Sequence, residues 1–174
     1  MHDDRNFDVF STEVPPVYRY MLIRDWGNGG PLLHVCMKNP SKANRDRDDL
    51  TTGTLKRRFE DKGYGGIHVV NLNAVIDPNA EIVFKHADPV GGENENYIIE
   101  ALKSARSNKV PMLVGWGQNS NGRGQVDRFV TLGSQYEVSL VCLKTNRDGS
   151  PLHPGPRSLQ FTPKSDLIPW SPAS

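Results

Sequence analysis

Between two prolines that cannot extend a helix or a central strand, the segment Leu152-His153-Pro154-Gly155-Pro156-Arg157 carries a histidine far from any apolar periodicity that would bury it. Such a loop displays its imidazole. Far upstream, the apolar run Leu32-Leu33-His34-Val35-Cys36-Met37 stops abruptly at Lys38-Asn39-Pro40-Ser41. Asn71 and Asn73 follow a second apolar run, and a carboxamide there donates and accepts at once, so it can read two adjacent atoms of a heterocycle's edge. Trp116, between Gly115 and Gly117, is either a ring on which a base or ribose would stack or a packed aromatic. No loop of this set presents an obvious carboxylate nucleophile; Glu93 comes nearest, and it opens a helix and is expected to cap it.

The elements that must position these residues follow from periodicity. A chain of 174 residues, 36% of them hydrophobic, suffices for one domain with a real core. Residues 1–16 are polar and end in Pro15-Pro16, which predicts a flexible amino-terminal arm. Residues 18–26 and 31–37 flank Gly27-Asn28-Gly29-Gly30 and read as two strands joined by a hairpin turn. Residues 51–62 have helical spacing and stop at Gly63, a C-cap; residues 67–72 read as a strand. Residues 93–107 place Tyr97, Ile98, Ala101, Leu102 and Ala105 on one helical stripe. A strand over 110–116, a helix over 124–132 and a strand over 137–143 complete the order. Alternating strands and helices predict an α/β fold: three layers, α/β/α, around a central, mostly parallel four-stranded sheet with an added amino-terminal hairpin strand. In such sheets the ligand site gathers beyond the carboxyl ends of the strands, where all the polar loops named above fall. The domain is expected over 17–162, followed by a Pro/Ser-rich tail over 163–174.

Charge and cysteine content narrow the classes. The net charge of +1 argues against a global basic field, yet residues 38–58 hold seven Lys/Arg against three Asp, which permits a local face for an anionic ligand. Cys36 and Cys142 lie in apolar runs and are too few for a disulfide framework or a zinc or iron–sulfur site, so buried thiols, no metal and no cofactor are expected. The start of the chain has no signal-peptide pattern and no stretch approaches the length of a membrane span, which predicts a cytoplasmic protein, monomeric and with no membrane partner.

With the loops in order, the chain resembles the uracil-DNA glycosylase superfamily, whose members carry an Asp-Pro or Asn-Pro turn after the first strand, an Asn after the second and a His-Pro-Ser-Pro-type loop after the fourth. Met37-Lys38-Asn39-Pro40 looks like the Gly-Met-Asn-Pro form in the single-strand-selective monofunctional branch, and His153-Pro154-Gly155-Pro156-Arg157 like its His-Pro-Ser-Pro-Arg with Ser changed to Gly. Over roughly residues 17–160, including Gly63-Tyr64-Gly65-Gly66, Val70-Asn71-Leu72 and Asp88-Pro89-Val90-Gly91, the chain also looks like a family of small bacterial and phage proteins catalogued as a domain of unknown function, DUF1643.

The first resemblance implies a DNA-binding enzyme that flips a pyrimidine out of the stack and hydrolyses its N-glycosidic bond, leaving an abasic site. It assigns Asn39 to hold a water beneath the sugar carbon and His153 to donate a hydrogen bond to the pyrimidine O2. Asn71 reads the base edge, with Asn73 the alternate if the register slips by two. Arg157, with Pro156 and Gly155, stands where a wedge enters the DNA. Ser41 replaces the tyrosine by which the uracil-specific branch rejects a group at C5. The run from Lys42 through Arg45 to Asp49 is dense in groups that bind hydroxyls. A bulky, polar C5-modified base, such as the glucosylated hydroxymethylcytosine of some phages, is therefore favoured over uracil, and anti-phage defence over repair. Two other classes remain open: a hydrolase of free nucleosides or nucleotides, and a non-catalytic reader of modified DNA.

Overall fold

The computed structural model describes residues 6–41, 50–77, 79–120, 122, 124–159 and 166–172. In chain order the elements are β1 (Phe7–Phe10), β2 (Arg19–Asp25), β3 (Leu32–Met37), α1 (Leu50–Phe59), a 3-10 turn (Glu60–Lys62) and β4 (Gly66–Asn71). Then follow α2 (Ala80–Lys85), α3 (Asn94–Ser107), β5 (Met112–Val114), α4 (Gln125–Gln135), β6 (Leu140–Cys142), the single turn α5 (Pro156–Leu159) and β7 (Ile168–Pro169).

These strands form one seven-stranded mixed sheet in the order β1-β2-β4-β3-β5-β6-β7. Its centre, β4-β3-β5-β6, is parallel, and β2 and β7 flank it antiparallel. Side-chain alternation splits the core in two. Leu33, Val35, Ile67, Val69 and Leu113 pack with Leu55 and Phe59 of α1 on one face. On the other, Cys36, Val70, Met112 and Val114 meet Ile98, Ala101 and Leu102 of α3 and Phe129 and Leu132 of α4. Near-continuous apolar strands are what burial on both faces requires. Cys36 and Cys142 are both buried and unpaired.

Three expectations are corrected. First, β2 and β3 are not a hairpin, because β4 lies between them. The connection straddles the start of β4: Trp26 N donates to Gly65 O (2.6 Å) and Gly65 N to Pro31 O (2.9 Å). A Cβ on Gly30 would stand 2.3 Å from Gly63 O, and one on Gly65 2.2 Å from Gly30 O, so the glycines serve a backbone crossing rather than a tight turn. Second, the stretch expected as a flexible arm contains β1, an edge strand tied to β2 by Asp8 and Arg24. The Asp8 carboxylate accepts from Arg24 Nη1 (3.1 Å) and Nη2 (3.2 Å), with both side chains buried. Third, the tail contributes β7, and Trp170 folds back so that its Nε1 donates to Gly149 O (3.0 Å). The sheet is thus wider than four strands at both edges. Helix α2, started by Asn79 Oδ1 accepting from Glu81 N (2.9 Å), is an element that the periodicity did not suggest.

Gly63 ends the helical segment in the left-handed region, as expected (φ 87°). The ends of α3 and α4 put left-handed residues where glycine is usual: Lys109 (φ 55°) and Glu137 (φ 54°). Each closes a six-to-one and five-to-two pair of bonds, Val110 N to Ala105 O (3.1 Å) with Lys109 N to Arg106 O (3.1 Å), and Val138 N to Gly133 O (2.9 Å) with Glu137 N to Ser134 O (3.1 Å).

Two buried histidines sit side by side in the centre of the sheet. His34 and His68 are registered partners on β3 and β4, with ring centroids 5.1 Å apart, and are 0% and 3% exposed. His34 Nε2 is hydrogen-bonded to the Ser104 hydroxyl of α3 (2.9 Å), while His34 Nδ1 and His68 Nε2 are buried without partners. Burial holds His34 at a pKa of about 4. Burial, and secondarily the neighbouring His34, hold His68 at about 3, so both rings are neutral.

Candidate functional site

The parallel strands run in the order β4-β3-β5-β6, so the chain leaves β3 toward one edge and returns past it to β5. The reversal lies between the carboxyl ends of β3 and β5, the place where open α/β sheets bind ligands. Backbone bonds lace the loops there together. Leu72 N donates to Met37 O (2.9 Å) and Asn73 N to Lys38 O (3.0 Å), which joins the ends of β4 and β3. Gly115 N donates to Cys36 O (2.9 Å) and Gly117 N to Pro151 O (3.0 Å), bringing in the end of β5 and the histidine loop. Lys38 Nζ crosses the reversal to donate to Gln118 O (2.6 Å), and burial lowers the pKa of that ammonium.

Asn39 is half-buried beside buried Pro40. Its Nδ2 donates to Asp77 O and to Pro40 O (3.3 Å), which orients the carboxamide and leaves Oδ1 as the side of the group with acceptor capacity. Asn71, the last residue of β4, alternates with Ile67 and Val69 and so projects on the α1 face; it is 2% exposed, and its Oδ1 is buried with no hydrogen-bond partner. His153 is half-buried. Its ring lies over Gly155, where a Cβ would approach Nδ1 to 3.2 Å, and its Cβ faces the backbone of Gly117. Pro154 packs so closely that a Cβ on Gly115 would lie 2.7 Å from its Cδ. The two glycines let the histidine loop settle against the end of β5. Half-buried Ser41 follows Pro40, and exposed Arg157 lies on α5 beyond half-buried Pro156.

Two of the sequence candidates have other duties. Trp116 is a core residue, 2% exposed, with Phe129 and Trp170 packed edge-on at 5.6 Å and 5.0 Å, so no ring face is left for a base. Its flanking glycines suggested a displayed ring, but the strand's alternation turns the indole into the α4 face. Asn73 is fully buried and its carboxamide is consumed: Nδ2 donates to Lys38 O (3.2 Å) and Oδ1 accepts from Gln125 Nε2 (2.9 Å). Of the two asparagines, Asn71 alone has a buried carboxamide oxygen without a partner. Lys42 and Arg45 lie outside the described residues. Glu93 stands at the start of α3 without a side-chain cap; its carboxylate accepts from Asn96 Nδ2 (2.9 Å).

Two contributors carried no sequence signal. Lys38 looked like any loop lysine, and Asn94 like a helix-start residue, yet Asn94 is fully buried and donates to the main chain at the end of β4. Gly117 also borders a cavity of about 300 Å³ lined by Asn119, Asp127, Asp148 and Ser150. Among the described residues no group of three or more His, Cys, Asp or Glu could hold a metal ion, and no helix is long and apolar enough to cross a membrane.

Residues 19–155 match the family model described as "Protein of unknown function (DUF1643)", and the chain belongs to that family. No curated protein and no solved structure matches it.

Proposed function

We propose that this DUF1643 chain is a monofunctional DNA glycosylase of the uracil-DNA glycosylase-like type, acting on a modified pyrimidine. The observation that supports the proposal is that an oriented Asn39 follows β3, an Asn71 with a buried and unmatched Oδ1 ends the neighbouring β4, and a half-buried His153 lies in the loop tied by Gly117 N to the end of β5. A buried acceptor without a donor is costly unless a ligand supplies one. The N–H groups of a pyrimidine edge are such donors.

The chemistry is a hydrolysis through an oxocarbenium-like state. The C1′–N1 bond breaks and its electron pair leaves with the base, so negative charge grows on the pyrimidine O2. His153 donates a hydrogen bond there, a preorganised dipole aimed at developing charge. Water held by Asn39 Oδ1 bonds to C1′ and then loses a proton to solvent. A neutral carboxamide orders that water without accepting its proton, which makes it a weaker activator than a carboxylate. Extraction of the base from the stack costs a few kcal/mol, and Arg157, exposed beside the loop, is the candidate to fill the gap.

The small side chain of Ser41 supports a base with a bulky polar C5 group, such as glucosylated hydroxymethylcytosine. The test is incubation with matched oligonucleotides carrying uracil, hydroxymethylcytosine or glucosylated hydroxymethylcytosine, then alkali and gel analysis. Strand breaks at the modified base, absent in His153→Ala and Asn39→Ala, are expected. Cleavage of uracil alone would make the protein a repair enzyme and overturn the inference from Ser41. Binding without cleavage would make it a reader of modified DNA.

A further inference from the structure

The β2–β4 ladder stops short of the end of β4. Its last registered pair is Leu22 with Val69, and the chains next meet at the Tyr18–Val75 bridge. The carbonyls of Asn71 and Leu72 fall in the gap. Asn94, the first residue of α3, reaches into it: its Nδ2 donates to Asn71 O (2.9 Å) and Leu72 O (3.4 Å). On the opposite edge the same segment is held by Leu72 N donating to Met37 O at the end of β3 and Asn73 N donating to Lys38 O just beyond it. The peptides on either side of Leu72 are thus clamped from both sides, which sets the direction in which Asn71 projects.

The clamp leaves a residue unsatisfied. Asn94 is 0% exposed and its Oδ1 is buried without a partner. Leucine would fill similar space without an orphaned oxygen, so the carboxamide is explained by its donor half. The Oδ1 of Asn71 is likewise buried and unmatched, an acceptor whose usefulness depends on where the main chain aims it.

We propose that Asn94 is a positioning residue for Asn71: it holds the Asn71–Leu72 main chain so that the Asn71 carboxamide meets the base edge, and it acts on the reaction only through Asn71. The proposal rests on the reading of Asn71 as the base-recognising group.

The test is a double-mutant cycle on single-turnover excision rates for the full chain, with Asn71→Ala, Asn94→Leu and the pair. A misaimed reader is expected to lose roughly tenfold to hundredfold in rate. Asn94→Leu should cost nothing further once Asn71 is alanine, because the two act as one unit. Losses that multiply in the double variant would overturn the proposal. Asn94→Ser, too short to span both carbonyls, replaces Asn94→Leu if that variant fails to fold. A wild-type protein that excises no base would sink the glycosylase proposal separately. The clamp is then judged by ¹⁵N NMR, in which Asn94→Leu should shift the Asn71 side-chain amide signals and speed exchange of the Leu72 amide beyond what the accompanying loss of stability explains. Unchanged Asn71 signals would overturn the positioning role whatever the activity.

Discussion

Acid should unfold this protein earlier than its carboxylates alone require, because of the paired histidines in the sheet. In the unfolded chain each titrates near 6.5, whereas burial holds His34 at about 4 and His68 at about 3. The folded state therefore binds fewer protons than the unfolded state below pH 6.5. Stability is fully present above that value and is lost as pH falls toward the folded pKa values. Between pH 7.5 and pH 5 each ring contributes a loss of about 2 kcal/mol, or about 4 kcal/mol for the pair. That loss hardly depends on the folded values, provided that both stay well under 5. It is a large share of a typical total of roughly 5–15 kcal/mol. The geometry gives the reason: the rings lie 5.1 Å apart and are almost wholly buried, so a proton on either is desolvated, and on His68 it also faces the neighbouring His34. Urea unfolding followed by circular dichroism at pH 7.5, 6 and 5 measures the effect, and His68→Leu should remove about half of the slope. A stability constant to within about 1 kcal/mol over this range, or a slope unchanged in His68→Leu, would refute the assignment.

Three further outcomes are expected. Asp8→Ala should cost about 1–3 kcal/mol in urea unfolding, because it removes two charge-assisted hydrogen bonds from a buried guanidinium that keeps Ile23 O as an acceptor, while a surface pair such as Lys56–Glu60 should cost under about 1 kcal/mol when broken. Lys109→Gly should raise stability by about 1 kcal/mol by relieving a left-handed residue while keeping both closing bonds of α3, and a thermal melt reads it. Gly155→Ser, which restores the residue of the resembled loop, should crowd the His153 ring and lower the excision rate roughly tenfold to hundredfold, with the melting temperature unchanged. Wild-type rates in that variant would show that the imidazole has room to move.

The sequence by itself determined the parallel centre. Apolar runs broken by helical stripes require strands covered on both faces, and the breaks put Asn39, Asn71 and His153 at one edge. It could not decide strand neighbours. The glycines after Trp26 read as a turn between adjacent strands, and only a partner distant in sequence, the start of β4, revealed that they serve a backbone crossing. Nor could it decide the ends: Phe7–Phe10 and Ile168–Pro169 are too short to register as periodic, and become strands because β2 and β6 offer them edges. Within the site, chemical type was legible and environment was not. Asn71 and Asn73 are the same residue two positions apart, yet contacts from Lys38 and Gln125 consume one, while α3 brings Asn94 to hold the main chain of the other. Trp116 and Trp170 are far apart in sequence, and their meeting in the core turned a plausible stacking ring into packing. Local composition selects which groups can do chemistry; long-range packing determines which of them are left with a hydrogen bond still to make.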